Sequence, residues 1–363
     1  MIMVIPEPKF ERVRETLLLE KVPDRVPLAE LLINQPVKEA FLGKPIANVQ
    51  DDIEFWYNAC YDYISLCPGY NFNPKGDIPK EGKREVWDRR NIYSKNDNYQ
   101  KWGSEGQGII TTLEEFEKHY WPAIDEVDFS QLEEASHFLP DGMKIIVRAG
   151  DIFTHTWEFM GFETFSFALV ENEELVARLF EKIGSSIYEI FCRVVEFDNI
   201  GALWYCDDIA YTEGLMVSPR ILRNHLFPWI KKIGDLAKSY RLPLLYHSDG
   251  KLWEVMDDLI GCGINALHPI EPKGMDAVEL KHQYGDKICL IGNVEVDRLA
   301  RGTPEEIDSL VKDRIERLAP GGGYCVGSSN TIPEYVSLEN YKAMLNAALK
   351  YGNYPNKTVK FKE

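Results

Sequence analysis

The sequence is short of positive charge: 41 Lys and Arg stand against 58 Asp and Glu in 363 residues, a formal net charge of −17. Such a surface repels a phosphate backbone, so nucleic acid is not an expected partner. A polyanionic small molecule is disfavoured too, unless a local basic pocket overrides the field. Long apolar runs are missing. No stretch approaches the ~20 residues of a membrane helix, and the opening MIMVIPEPK lacks the basic region and apolar core of a signal peptide. The seven cysteines, Cys60, Cys67, Cys192, Cys206, Cys262, Cys289 and Cys325, are scattered and form no C-x-x-C. They read as small buried hydrophobes of an intracellular chain. A cytoplasmic protein with no membrane partner is the expectation. Nucleotide and serine-hydrolase signatures are absent as well. Gly321-Gly322-Gly323 is not followed by Gly-Lys-Ser/Thr, no Gly-rich fingerprint follows the early strands, and no G-x-S-x-G occurs.

What is present is a repeated unit: a short apolar run, a polar end, then a helical pattern. The runs are Val26–Glu30, Tyr63–Cys67, Ile145–Val147, Ala202–Cys206, Leu244–Tyr246, Ala266–Leu267, Ile288–Ile291 and Tyr324–Val326. Helices are expected over Glu173–Ile183, Ile221–Leu236 and Leu252–Ile260, and another begins at Thr303-Pro304-Glu305-Glu306 with a capping hydroxyl, Pro in the first turn and acids against the dipole. Eight strand–helix units predict an α/β TIM-type (β/α)8 barrel, with an open doubly wound sheet as the alternative. The interval of about 68–141 is too long for one connection. It reads as a capping insertion after strand 2, with a hairpin around Ser94–Asn98, inside a single domain spanning 1–363.

Ligands of such barrels sit where the strands end. The polar residues there are Asp151, Asp207, Asp208, His247, Asp249, His268, Glu271, Asn293 and Asn330. Singly, each is an ordinary turn residue; together, two histidines and several carboxylates at adjacent strand ends make a candidate site. His247 and Asp249 lie at i, i+2 and share a side. With Glu271 they are the expected N/O ligands of zinc or another divalent ion. Asp207 and Asp208 end an apolar strand, where a buried pair raises a carboxyl pKa and suits a general acid, with His247 beside them as a third catalytic residue. Arg148, Asp151, Trp157, His268, Asn293 and Asn330 are the expected substrate contacts.

Several longer stretches carry a family likeness. YHSDGKLWEVMDDLIGCGINALHPIEP, LIGNVE, GGGYCVGSSNTIP and SLENYKAM, with DDIAYTEGLMVSPRILRNHLFPWIKKI and GDIFTHTWEFMGFE, resemble the uroporphyrinogen decarboxylase superfamily. The resemblance covers nearly the whole chain and implies a TIM-type barrel. It also implies one of two chemistries. The porphyrinogen decarboxylases carry an Arg-rich R-Q-A-G-R segment and an F-S-D-I-type segment; here those regions read DRVPLAELLINQ and DYISLCPGY, without the basic cluster or the Asp. The other branch, the cobalamin-dependent methyltransferases, moves a methyl group between a small molecule and the cobalt of a separate corrinoid protein, often with zinc. Against its H-x-C motif, His247 matches the His, Asp249 stands at the first Cys and Asn330 in GSSN most nearly replaces the second. A harder O/N site suits a methyl ether or amine better than a thiol. The resemblance therefore implies transfer from a small methylated donor, a methoxylated aromatic in the first instance and otherwise a methylamine or methylthiol, to a corrinoid protein partner. Zn2+ is the implied metal and a homodimer an allowed assembly. Decarboxylation of a smaller carboxylic acid is the alternative.

Overall fold

The computed structural model describes residues 6–75, 89–90, 99–100 and 108–354. Seven short strands form one curled sheet in chain order: β1 (Tyr63–Leu66), β2 (Lys144–Gly150), β3 (Ile200–Cys206), β4 (Leu244–His247), β5 (Ala266–His268), β6 (Cys289–Val294) and β7 (Tyr324–Ser328). Every adjacent pair is parallel. The strands are buried almost throughout, as expected of a parallel sheet covered on its outer face by helices. The arrangement is that of a TIM-type barrel. No helix among the described residues is long and apolar enough to cross a membrane.

The eighth position is filled in an unusual way. The segment expected as the first strand, Val26–Glu30, is extended and bonds to β7 through Ala29 N–H to Val326 O (2.8 Å) and Val326 N–H to Pro27 O (2.9 Å). Toward β1 it is held by side chains instead. The Tyr63 hydroxyl takes the Glu30 N–H and donates to the Glu30 carbonyl, both at 2.8 Å, and the Ser65 hydroxyl donates to Leu31 O at 2.7 Å. Pro27 brings no N–H to a ladder, which limits regular pairing here.

Helix boundaries follow local chemistry. Glu173–Val194 runs well beyond its expected length, because Ile187, Ile190, Phe191 and Val194 continue the buried stripe begun by Leu175 and Leu179. Thr303 caps Pro304–Leu318 in a capping box with Glu306, as its sequence indicates. The expected single helix over Ile221–Leu236 is three pieces: Pro219–Ile221, a π-turn at Leu222–Leu226, and Phe227–Ser239. Pro228 has no N–H for a continuous ladder, and it sits in the first turn of the last piece. Leu252–Ile260 likewise splits into a 3-10 turn at Trp253–Val255 and a helix at Met256–Gly261. Between β1 and β2 stand helices Leu113–Lys118 and Ser130–Phe138 and an antiparallel pair, Arg89–Arg90 with Tyr99–Gln100. The expected turn at Ser94–Asn98 lies outside the described residues.

One buried carboxyl belongs to the fold rather than to the mouth. Glu30 is fully enclosed, accepting from Ser328 N–H at 2.6 Å and Ser328 Oγ at 2.7 Å, and burial pushes its pKa up to about 8. Its folded value exceeds its unfolded one, so its contribution is full in acid and is lost as pH rises toward about 8. Urea titrations of the wild type should therefore show stability falling between about pH 5 and 8, and Glu30→Gln, which cannot ionise, should flatten that fall. An unchanged slope would remove Glu30 as its source.

Candidate active site

The period of two along β3 decides which residues enter the barrel mouth. Trp204, Cys206 and Asp208 share one side, and Tyr205 and Asp207 the other. Asp207 is 1% exposed and turns toward the helix Ile152–Met160. Its Oδ2 accepts from Phe153 N–H and Tyr205 Oη, both at 2.7 Å, and its Oδ1 from Thr154 N–H (3.0 Å) and Thr154 Oγ1 (2.9 Å). Asp207 therefore caps that helix from a neighbouring strand, a task Asp151 leaves open because its own side chain makes no cap. Burial raises Asp207 to about 6 while those four donors oppose the rise. With both oxygens occupied by donors, its place in the structure is that of a strut. Asp207→Ala is expected to cost about 2 kcal/mol or more, since it leaves buried donors unpaired; chemical denaturation measures it, and a cost under half that value would refute the strut.

Asp208 points the other way and meets β4. Ligand atoms of Asp208, His247 and Asp249 lie within 4.8 Å of one another. His247 Nε2 is 3.7 Å from Asp208 Oδ1, which also accepts the Asp249 N–H at 2.7 Å. Asn330, from the loop after β7, donates to Asp249 Oδ2 at 2.6 Å and leaves Asp249 Oδ1 buried without a partner. Burial, then Asp208 and Glu271, push Asp249 up to about 8. His247 Nδ1 is 2.8 Å from His268 Nδ1, so one proton lies between the two rings. Burial holds both histidines below the usual imidazole range, and they are neutral at pH 7.

Glu271 stands apart from this group. Its Oε2 accepts the Gly250 N–H at 3.0 Å and its Oε1 the Thr212 hydroxyl at 3.1 Å, so it fixes the Asp249–Gly250 turn. Beside it a cleft of about 370 Å³ opens, lined by Asp249, Asn330, Glu271, Glu295, Lys273 and Tyr335 among others. The grouping thus brings in Asp208 where spacing alone points to Glu271. Asn293 is 2% exposed with φ 68, and its amide donates to Ile270 O at 2.8 Å; it braces the loop after β5. Trp157 lies on the helix after β2 with its ring edge-on to Phe162, and its indole nitrogen is buried without a partner.

The β2 end carries the other pole. Gly150 is needed there because a Cβ would fall 2.0 Å from Cys206 O. That close approach lets Asp151 N–H reach Cys206 O (2.6 Å), with Asp151 itself in the left-handed region at φ 62. Burial, then Asp207, raise the Asp151 carboxyl to about 7. Arg148 donates through Nε to Ser65 Oγ at 2.9 Å, and its charge helps to keep His247 neutral. Sequence alone does not pick out Ser65, although its place on the strand beside Arg148 is the sort of pairing a register would reveal.

Comparison with known proteins fits this geometry. The uroporphyrinogen decarboxylase (URO-D) family model matches residues 129–351. The chain belongs to the URO-D family. Among curated proteins, this family member is 28% identical over 147 residues to a uroporphyrinogen decarboxylase of Pseudoalteromonas translucida (strain TAC 125), 38% of this chain and 39% of the relative. The match thus spans about two fifths of that relative's length. Among solved structures, a methyltransferase from Methanosarcina mazei superposes with a TM-score of 0.68 at 18% identity, over 95% of this chain and 99% of that one. At that identity the likeness speaks for the shared barrel. The URO-D match includes β2 to β7, and so leaves out only the ends of β1 and of the extended segment Val26–Glu30.

Proposed function

We propose that this chain is an enzyme, a methyltransferase that moves a methyl group from a small methylated donor to the cobalt of a corrinoid carried by a separate protein. The observation that carries the reading is the convergence of Asp208, His247 and Asp249 at the mouth, with Asp249 Oδ1 buried and unpartnered. The likeness of the whole barrel to a methyltransferase supports it. So does the lack of the Arg-rich segment that a porphyrinogen's many carboxylates require. A methoxylated aromatic is the favoured donor, ahead of a methylamine or methylthiol.

The three residues fit a hard or borderline divalent ion such as Zn2+: one neutral imidazole, two carboxylates, and one buried oxygen lacking a donor. When bound, such an ion supplies Lewis-acid assistance to the leaving heteroatom; the corrinoid supplies the nucleophile. The rest falls to the chain. His268 Nδ1 fixes the ring of His247 so that Nε2 faces Asp208. Asn330 orients Asp249. Asp151, whose carboxyl titrates near 7 and makes no hydrogen bond to a described residue, holds the proton that a departing oxygen requires. As an acid it works protonated, so kcat is expected to be flat in acid and to fall as pH rises through about 7. Asp151→Asn should lower kcat and abolish that descent; a variant that keeps the wild-type profile would clear Asp151 of the role.

The direct test is anaerobic incubation with methoxylated, methylamine and methylthiol donors and a Co(I) corrinoid, read by visible spectroscopy. Alkylated corrinoid with one donor class supports the reading; none with any class ends it. The second reading, decarboxylation of a small acid, is favoured by Arg148, and its mark is CO2 release in the absence of corrinoid.

A further inference from the structure

Among the described residues, Arg148 is a charge of the mouth without an ion pair. It is half-buried at the end of β2, on the inward face next to Trp204 of β3. Its only hydrogen bond among the described residues is Nε to Ser65 Oγ, and no described carboxylate lies within ion-pair distance of it. Acids are not scarce nearby: Asp151, Asp208 and Asp249 stand at strand ends of the same mouth, yet none of them lies within ion-pair distance of Arg148. The guanidinium is also positioned in advance. Ser65 is 5% exposed, and its hydroxyl donates to Leu31 O at 2.7 Å while accepting Arg148 Nε, which leaves both Nη groups forward. The same face holds two more unpaired polar atoms, Trp204 Nε1 and His268 Nε2, on rings 5.1 Å apart and fully enclosed. A half-buried cation without a counter-ion is costly unless a ligand supplies one.

We propose that the methyl donor carries a carboxylate and that Arg148 binds it through its two Nη groups. The proposal rests on the methyltransferase reading for the donor's fate. A carboxylate is the class that fits because the two Nη groups form a planar fork matching its two oxygens. A dianion such as a phosphate ester is disfavoured, since one cation faces it and the neighbouring strand ends are acidic. Arg148 thus becomes a specificity-determining residue: it separates acid donors from their neutral analogues.

The test compares binding of 4-methoxybenzoate and 4-methoxybenzyl alcohol to the full chain by calorimetry, for wild type, Arg148→Gln and Arg148→Lys. Wild type is expected to prefer the acid by roughly 10- to 100-fold. Arg148→Gln should erase the preference by weakening the acid alone, and Arg148→Lys should keep part of it. A merely structural role would weaken both ligands equally. Equal affinities in wild type, or a preference that survives Arg148→Gln, would overturn the proposal. The same ligands offered with Co(I) corrinoid separate it from the reading it rests on. Demethylation of the alcohol as readily as the acid defeats the carboxylate proposal and keeps methyl transfer. Arg148-dependent binding of the acid without any transfer defeats methyl transfer and keeps the anion site.

Discussion

His247→Ala is expected to lower kcat/KM for methyl transfer by at least about 100-fold, the loss common for outer partners of metal ligands, because His247 stands in the ligand group itself. Bound Zn2+, counted after equilibrium dialysis, should fall with it. The cause is geometric. His247 contributes the one nitrogen among Asp208, His247 and Asp249, and its loss leaves two ligands where a zinc site takes three or more. Asp208→Asn should likewise weaken the metal. Glu271→Gln should keep it near the wild-type level, because Glu271 holds Gly250 N–H and Thr212 and stands outside the group. If Glu271→Gln loses metal while Asp208→Asn retains it, Asp208 is not a ligand and Glu271 is.

The second large effect lies at the other end of the barrel and concerns stability alone. Arg12 is 5% exposed and bridges two acids: Nη1 to Asp62 Oδ1 at 2.6 Å, Nε to Asp24 Oδ1 at 2.6 Å, and Nη2 to Asp24 Oδ2 at 3.0 Å. Asp62 is fully buried; Arg25 approaches it at 3.7 Å, and Lys9 N–H donates to it at 2.8 Å. Arg12→Met removes the nearest cation from buried Asp62 and leaves it Arg25 and the Lys9 N–H; breaking a buried pair typically costs about 3–5 kcal/mol. That is a large share of the ~5–15 kcal/mol that holds a domain folded. Arg193→Met, which breaks an exposed pair with Glu196, should cost less than about 1 kcal/mol. Arg12 also holds Asp24 down at about 2 through its hydrogen bond. The depressed carboxyl contributes above its unfolded value and loses that contribution as pH falls toward 2, so Arg12→Met should blunt acid unfolding in that window. Urea titrations of both variants at about pH 7 and about pH 3 check the pair; equal costs for Arg12→Met and Arg193→Met would contradict it.

Much of the barrel is legible because its strands are short, largely apolar and end in polar residues. The mouth was legible for the same reason: His247 and Asp249 share a face at i, i+2, and that holds whatever surrounds them. Two assignments needed the third dimension. Asp207 and Asp208 are equivalent as letters, and the alternation from Trp204 and Cys206 separates them only once the inward side of β3 is known. The cap Asp207 gives to Phe153 and Thr154 crosses more than fifty residues of sequence, and no local pattern announces it. Glu271 falls outside the Asp208–His247–Asp249 group because it follows His268 by three positions along a loop that turns at Ile270, φ 50, so that sequence spacing no longer measures direction. No local pattern marks Glu30 as a buried acid, since its partner Ser328 lies 298 residues away.

One measurement bears most directly on the proposed chemistry. A methoxybenzoate labelled with 13C in both the methoxy and carboxyl carbons is incubated with the protein and Co(I) corrinoid and followed by NMR. Methyl transfer requires that the methyl carbon pass to the corrinoid while the carboxyl carbon stays on the ring, and that neither move with His247→Ala. Release of the carboxyl carbon as CO2 with the methoxy group intact would contradict it and make this barrel a decarboxylase.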